Sequence, residues 1–168
     1  MELHPVQVME KDAFRAVVET YWQELMPRAD VVADVIRRDA YFASQFAFEG
    51  DSRRPQWVVE NQERVGFVSI SIDHAAQTAF IEDFYILPTV RRRGYGRAAV
   101  QTLYTQLDAL EIIQIDLSVR RDTPEALAFW EVLGFRIASY RLRQYRDLAA
   151  HQSFVGALSS DFAAPPGC

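Results

Sequence analysis

Arg91-Arg92-Arg93-Gly94-Tyr95-Gly96-Arg97 lies between an apolar run, Phe80 to Leu87, and a helical pattern that begins near Gly96. A strand, a basic glycine-bearing loop and a helix start form an anion site. The first N–H groups of a helix have no intrahelical partner and carry the positive end of its dipole. Glycines at 94 and 96 are expected to let the backbone curl close to a phosphate that a Cβ would obstruct. The flanking arginines can add charge-assisted bonds to phosphate oxygens. A solvated basic turn fits the same residues. So does a dinucleotide fingerprint, since Gly94-x-Gly96-x-x-Ala99 matches the relaxed Rossmann pattern and Asp116 follows about 20 residues later. Against the dinucleotide, Asp116 lies inside the run Ile112–Val119 rather than at its end, and Pro88 to Arg93 separate the loop from its strand.

Working outward, Gln56 to Glu60 and Val65 to Ile72 are β-rich runs joined by the polar link Asn61 to Arg64. Asp73 to Ala76 turns the chain into a third run, Thr78 to Leu87, and the three predict an antiparallel meander. The helix after the glycine loop extends to about Leu110, with Val100, Leu103, Tyr104 and Leu107 inward. Ile112–Val119 reads as a buried strand. Thr123 or Asp122, with Pro124 at the first helical position, starts another helix that Gly134 ends. Phe135 to Tyr145 alternates as a last strand. Upstream, Val6 to Met9 reads as a first strand. Asp12 caps a helix to about Leu25, and Asp30 caps a second one with the stripe Val31, Val35, Ala40, Phe42, Phe46. Gly50 to Ser52 with Pro55 reads as a loop. The order predicts an α/β fold, a mixed, mostly antiparallel sheet with helices on both faces.

The 168 residues suit one domain with a real core, and 49% hydrophobic with 24% charged residues is ordinary for a soluble chain. A net charge of −5 argues against general nucleic-acid binding, although arginines concentrate at 91–97, 120–121 and 136–146. No apolar run is long enough for a membrane span and Met1 to Asp12 carries no leader-like core, so no membrane role and a cytoplasmic location are expected. Cys168 excludes an internal disulfide. His4, His74 and His151 have no ligand spacing, so no metal is expected.

From Gln56 to Tyr145 the chain resembles the GNAT acetyltransferase superfamily. Arg91-x-x-Gly94-x-Gly96 is similar to its acetyl-CoA loop, and Ala126 to Phe135, an alanine-bearing helix closing in Leu-Gly-Phe, is similar to its second signature. The resemblance implies a GNAT-like domain over 1–145 with a splayed central strand pair, followed by an extension, 146–168. It implies acetyl-CoA as cosubstrate. Backbone groups of Phe84, Tyr85 and Ile86 would hold the pantetheine arm, and the N–H groups of Arg92 to Arg97, Tyr95 included, the pyrophosphate. Side chains of Arg92, Arg93 or Arg97 would reach the 3′-phosphate. Thr123 stands where the family often has asparagine, beside Ala126, and Trp130 where many members carry the tyrosine that protonates the thiolate. Indole is no acid, leaving Tyr85, Tyr140 or Tyr145 as substitutes.

Glu82-Asp83-Phe84-Tyr85-Ile86 is similar to a run in polyamine acetyltransferases, which makes Glu82 the first choice for a base and Asp83 its neighbour in the amine site. Because strand residues alternate, only one of the two is expected to face the site. Tyr21 and Trp22, with Phe42, are candidates for an acceptor pocket. The expected activity is direct acetyl transfer to a small cationic amine. Protein N-terminal or lysine acetylation, another acyl donor, and a non-catalytic CoA sensor are the alternatives. Many family members pair as homodimers, and the tail after Arg146 is a candidate element for that.

Overall fold

The computed structural model describes residues 1–25, 35–46 and 53–140. Among these, five strands form one sheet in the order β1 (Glu2–Pro5), β2 (Arg53–Glu60), β3 (Glu63–Asp73), β4 (Thr78–Ile86), β5 (Gln114–Leu117). The first four are antiparallel neighbours, and β5 runs parallel to β4. Four helices accompany them: α1 (Lys11–Leu25), α2 (Val35–Phe46), α3 (Tyr95–Asp108) and α4 (Pro124–Val132).

Each sheet face buries its own apolar cluster. On one, Val58, Val68, Ile70, Ala79 and Ile81 meet Val100, Leu103 and Leu107 of α3 and Trp130 of α4. On the other, Trp57, Phe67 and Tyr85 meet Phe14 and Val18 of α1, with Tyr41, Phe42 and Phe46 of α2 alongside. Phe14 is fully buried, its ring edge-on to Phe46, Trp57 and Phe67 at centroid distances of 5.2 to 6.0 Å. The expected mixed sheet with helices on both faces is therefore present.

Several boundaries differ from the sequence reading. The first strand is Glu2–Pro5, not Val6 to Met9; Val8–Glu10 is a 3₁₀ turn whose preceding N–H, from Gln7, donates to Glu10 Oε2 at 2.8 Å. The Val6/Val8 alternation misled, because Val6 is buried while Val8 and Met9 are exposed. The link between β2 and β3 shrinks to Asn61-Gln62, both at positive φ (49° and 68°), as a tight primed hairpin turn requires. Pro55 belongs to β2 rather than to a loop. Its carbonyl accepts from Val6 N–H just beyond the last residue of β1, so its nitrogen faces that end of the sheet and the β2–β3 ladder loses no bond. The predicted strand Ile112–Val119 is only Gln114–Leu117, with Ile113 exposed. No strand forms over 135–140, where Phe135 to Tyr145 was expected to begin one. The Asp30 cap, the Gly50 to Ser52 loop, His151, Tyr145 and the tail 146–168 lie outside the described residues.

Candidate functional site

The site begins where β4 loses a neighbour. Its pairing with β5 covers only Thr78 to Ile81, so among the described residues Glu82–Ile86 keep β3 on one side and have no strand on the other. Leu87 N–H donates to Val65 O at 2.9 Å, towards β3. Main-chain groups alternate in direction along a strand, so those of Phe84 and Ile86 face the gap and those of Tyr85 face β3. Tyr85 is thus turned out of the row expected to hold a ligand arm, leaving Phe84 and Ile86. The Ile86 carbonyl already accepts from Arg91 Nε at 2.8 Å.

A bulge resets β4 midway. Asp83 pairs with Ser69 and Ile81 with Ile70, leaving Glu82 as the extra residue. Before it, Ala79 and Ile81 face the α3/α4 cluster; after it, Phe84 and Ile86 do, while Tyr85 faces α1. The two residues between Ile81 and Phe84 therefore share the α1/α2 side. The expectation that only one of Glu82 and Asp83 could face the site fails for this reason: alternation holds only in an unbulged strand. Side-chain partners agree. Tyr41 Oη donates to Asp83 Oδ2 at 2.6 Å, and Gln45 Nε2 donates to Glu82 Oε2 at 3.4 Å. Ser69 Oγ in turn donates to Gln45 Oε1. Gln45 and Ser69 are both buried, which a primary amide and a hydroxyl tolerate only when bonded.

Tyr21 of α1 also contacts Asp83. Burial first, and then the Asp83 carboxylate, push the Tyr21 and Tyr41 hydroxyls well above the ordinary tyrosine range, with Arg120 a smaller opposing influence on Tyr21. Both stay neutral donors. The Trp22 ring packs on Tyr41 and Phe42 at 4.7 and 5.7 Å. The sequence reading passed over Tyr41 and Gln45. Their four-residue spacing puts them on one face of α2 beside the apolar stripe, which is a usable signal once two strand carboxylates need donors.

At the other end of the gap, a 3₁₀ turn, Pro88–Val90, leads into the arginine–glycine loop. Gly94 precedes α3 with φ +83°, a left-handed conformation unfavourable to a Cβ. Ala98 is the first residue whose N–H reaches the loop, donating to Gly94 O at 3.0 Å, so the N–H groups of Tyr95, Gly96 and Arg97 have no helical carbonyl to bond. Gly96 has a packing reason beside the one expected. A Cβ there would stand 3.2 and 3.3 Å from the Phe129 ring of α4, so this glycine admits an aromatic ring and not only a ligand.

The arginines divide. Arg92, Arg93 and Arg97 are exposed, and no ion pair to another described residue holds them. Arg91, expected among the cofactor ligands, points elsewhere. Besides the Ile86 carbonyl it forms a two-pronged pair with Glu24 of α1, Nη2 to Oε2 at 2.9 Å, and it lies 5.2 Å from the Tyr85 ring centroid. Tyr85 Oη donates to the same Glu24 oxygen at 3.0 Å. The Arg91 and Tyr85 bonds hold the Glu24 carboxyl below its usual range. Burial, then the Glu24 bond, push Tyr85 up to about 12.

The second signature contributes packing. Trp130 is buried in an aromatic group, 5.3 Å from Phe84, 5.0 Å from Phe129 and 5.2 Å from Phe135. Thr123 spends its hydroxyl locally, donating to Arg120 O at 2.8 Å, and its carbonyl accepts from Ala126 N–H at 3.1 Å. Of the tyrosines considered as thiolate acids, Tyr85 donates to Glu24 and Tyr140 is exposed. No group of metal-ligating side chains occurs among the described residues, and no helix there is long and apolar enough to cross a membrane.

The donor set suits a long anionic ligand: amides at a helix start with no helical carbonyl to bond, exposed arginines beside them, and a strand edge left uncovered among the described residues that leads to two carboxylates. Comparisons with known proteins agree with that shape. Residues 14–135 match the acetyltransferase (GNAT) family. A 68-residue stretch is 31% identical to the ribosomal protein bS18-alanine N-acetyltransferase of Salmonella typhimurium, covering 40% of this chain and 46% of that protein, so the match spans under half of the relative's length. Among solved structures, a candidate acetyltransferase from Bacillus subtilis superposes with a TM-score of 0.70 at 20% identity, over 86% of this chain and 97% of that one. The PaiA N-acetyltransferase of Thermoplasma acidophilum, crystallised with coenzyme A, gives 0.65 at 12% identity over 83% and 92%. At these identities the two structures speak for the fold.

Proposed function

The chain belongs to the acetyltransferase (GNAT) family, and from that premise we propose that it transfers the acetyl group of acetyl-CoA directly to the amine of a small cationic acceptor. One observation carries the reading: the bulge at Glu82 turns two adjacent carboxylates to the α1/α2 face at the point where β4 parts from β5. The α3 amides of Tyr95, Gly96 and Arg97 would bind the pyrophosphate. Arg92, Arg93 and Arg97 would add charge, and Phe84 and Ile86 would offer main-chain bonds to the arm. Bound acetyl-CoA supplies an activated thioester carbonyl.

The residues of the chain do the remaining work. An ammonium ion has no lone pair, so the acceptor must lose a proton before it attacks. Glu82, steadied by Gln45, takes that proton directly or through a water. Asp83, braced by Tyr41 and Tyr21, attracts the cation and orients it without needing to change protonation. An N–H on the open edge of β4 stabilises negative charge developing on the carbonyl oxygen. Trp130 is packed among other rings and donates no proton to the departing thiolate. A thiolate leaves readily enough for solvent to serve.

An amine panel read by CoA release tests the proposal, with Glu82→Gln as the critical variant. We expect turnover with a diamine or polyamine, and a loss of about a hundredfold or more in kcat for the variant. Undiminished turnover by the variant from pH 6 to 9 would remove Glu82 from the role. The similarity to a ribosomal-protein-alanine acetyltransferase supports a second reading, a protein N-terminal amine acceptor. A peptide with N-terminal alanine belongs in the panel, and preference for it would decide that way. CoA binding without turnover on any amine would point to a sensor.

A further inference from the structure

We propose that Glu24, in the last turn of α1, is a positioning residue that holds the anion-binding loop in place through Arg91. The inference rests on the acetyl-CoA reading above. Among the described residues, little main-chain bonding fixes this loop. Arg91 N–H reaches Pro88 O at 3.4 Å, a long bond, and the next residue, Arg92, sits at φ +63°. The Arg91 side chain supplies what the backbone lacks. Its Nε holds the end of β4 through Ile86 O, its two outer nitrogens hold α1 through both oxygens of Glu24, and its plane lies near Tyr85. With three of its five N–H donors committed in this way, the guanidinium has less to offer a phosphate.

Tyr21 stands three residues before Glu24 on the same helix and meets Asp83. One stretch of α1 therefore supports both the loop that holds the donor and the face that receives the amine. Losing the Glu24 pair lets the loop wander, and a ligand must then order it on binding.

The two roles open to Arg91 predict opposite signs. If Arg91 were a phosphate ligand, Glu24→Gln would release it and tighten CoA binding. If it is a latch, the same variant weakens binding. Titration calorimetry with CoA on the wild type, Glu24→Gln, Arg91→Gln and the double variant distinguishes them. We expect each single variant to bind about fivefold more weakly and the double variant no more weakly than Arg91→Gln, because the two residues act as one unit. KM for acetyl-CoA should rise while KM for the amine holds. In the ligand-free protein, hydrogen exchange at 92–97 should quicken in Glu24→Gln, whose isosteric side chain keeps the fold.

Unchanged or tighter CoA binding by Glu24→Gln would overturn the proposal. So would additive losses, or unaltered exchange at 92–97. A wild-type protein that takes up no CoA would instead sink the acetyl-CoA reading, and the latch with it.

Discussion

Gly96→Ala separates two explanations for the second glycine of the loop. A Cβ there meets Phe129 ring carbons at 3.2 and 3.3 Å and the Phe84 ring at 3.7 Å. The first two contacts are tighter than van der Waals packing, so α3 or the ring must move by a few tenths of an ångström. Overpacking of this kind costs about 1–3 kcal/mol, and replacing a helical glycine by alanine returns up to about 1 kcal/mol. The net expectation is a destabilisation of about 1 kcal/mol in urea unfolding. Phe129→Leu removes the ring atoms that the Cβ meets. In that background Gly96→Ala should cost nothing, giving a coupling of about 1–2 kcal/mol in the double-mutant cycle. CoA-induced thermal stabilisation, measured on the same four proteins, supplies the second readout. If coupling is absent and Gly96→Ala loses the CoA response equally in both backgrounds, the Cβ obstructs the ligand. The reasoning from Phe129 would then be wrong.

Phe14→Ala should cost about 3–5 kcal/mol in the same unfolding assay, because a fully buried ring touching Phe46, Trp57 and Phe67 leaves a cavity that helix and sheet cannot both close. A cost under about 1 kcal/mol would mean that α1 is not seated on the sheet as described. Tyr85, raised by burial and by its bond to Glu24 from 10 to about 12, binds its proton more tightly folded than unfolded. Its contribution is complete below pH 10 and lost as pH rises towards 12. The urea midpoint of the wild type should therefore fall towards that of Tyr85→Phe over this range; parallel pH profiles would refute it.

How far the fold could be read from sequence depended on whether a pattern was local. The meander, the glycine loop and the helix after it announce themselves in contiguous residues, and β2, β3, β4 and α3 follow within a few positions. The bulge in β4 has no such signature. Glu82 is extra only relative to the register with β3, which is a property of two strands at once. The two-carboxylate face stayed hidden for that reason, and so did its donors Tyr41 and Gln45, some forty residues upstream. Arg91 shows the same limit. Its place in the loop motif was plain, but its partner Glu24 comes from α1, and no spacing rule links the two. The first strand was misplaced because Val6 and Val8 alternate as a strand would, while the residues that do pair, Glu2–Pro5, carry almost no apolar signal.

The open edge of β4 has a consequence beyond chemistry. Unpaired strand edges ordinarily invite another chain to add itself, which is the usual route to aggregation. Here the free length, Glu82–Ile86, keeps β3 on one side and begins just past Ile81, where β5 ends at Leu117. Five residues offer only a short edge, and shortness is one of the ways in which proteins discourage an edge from pairing with another chain.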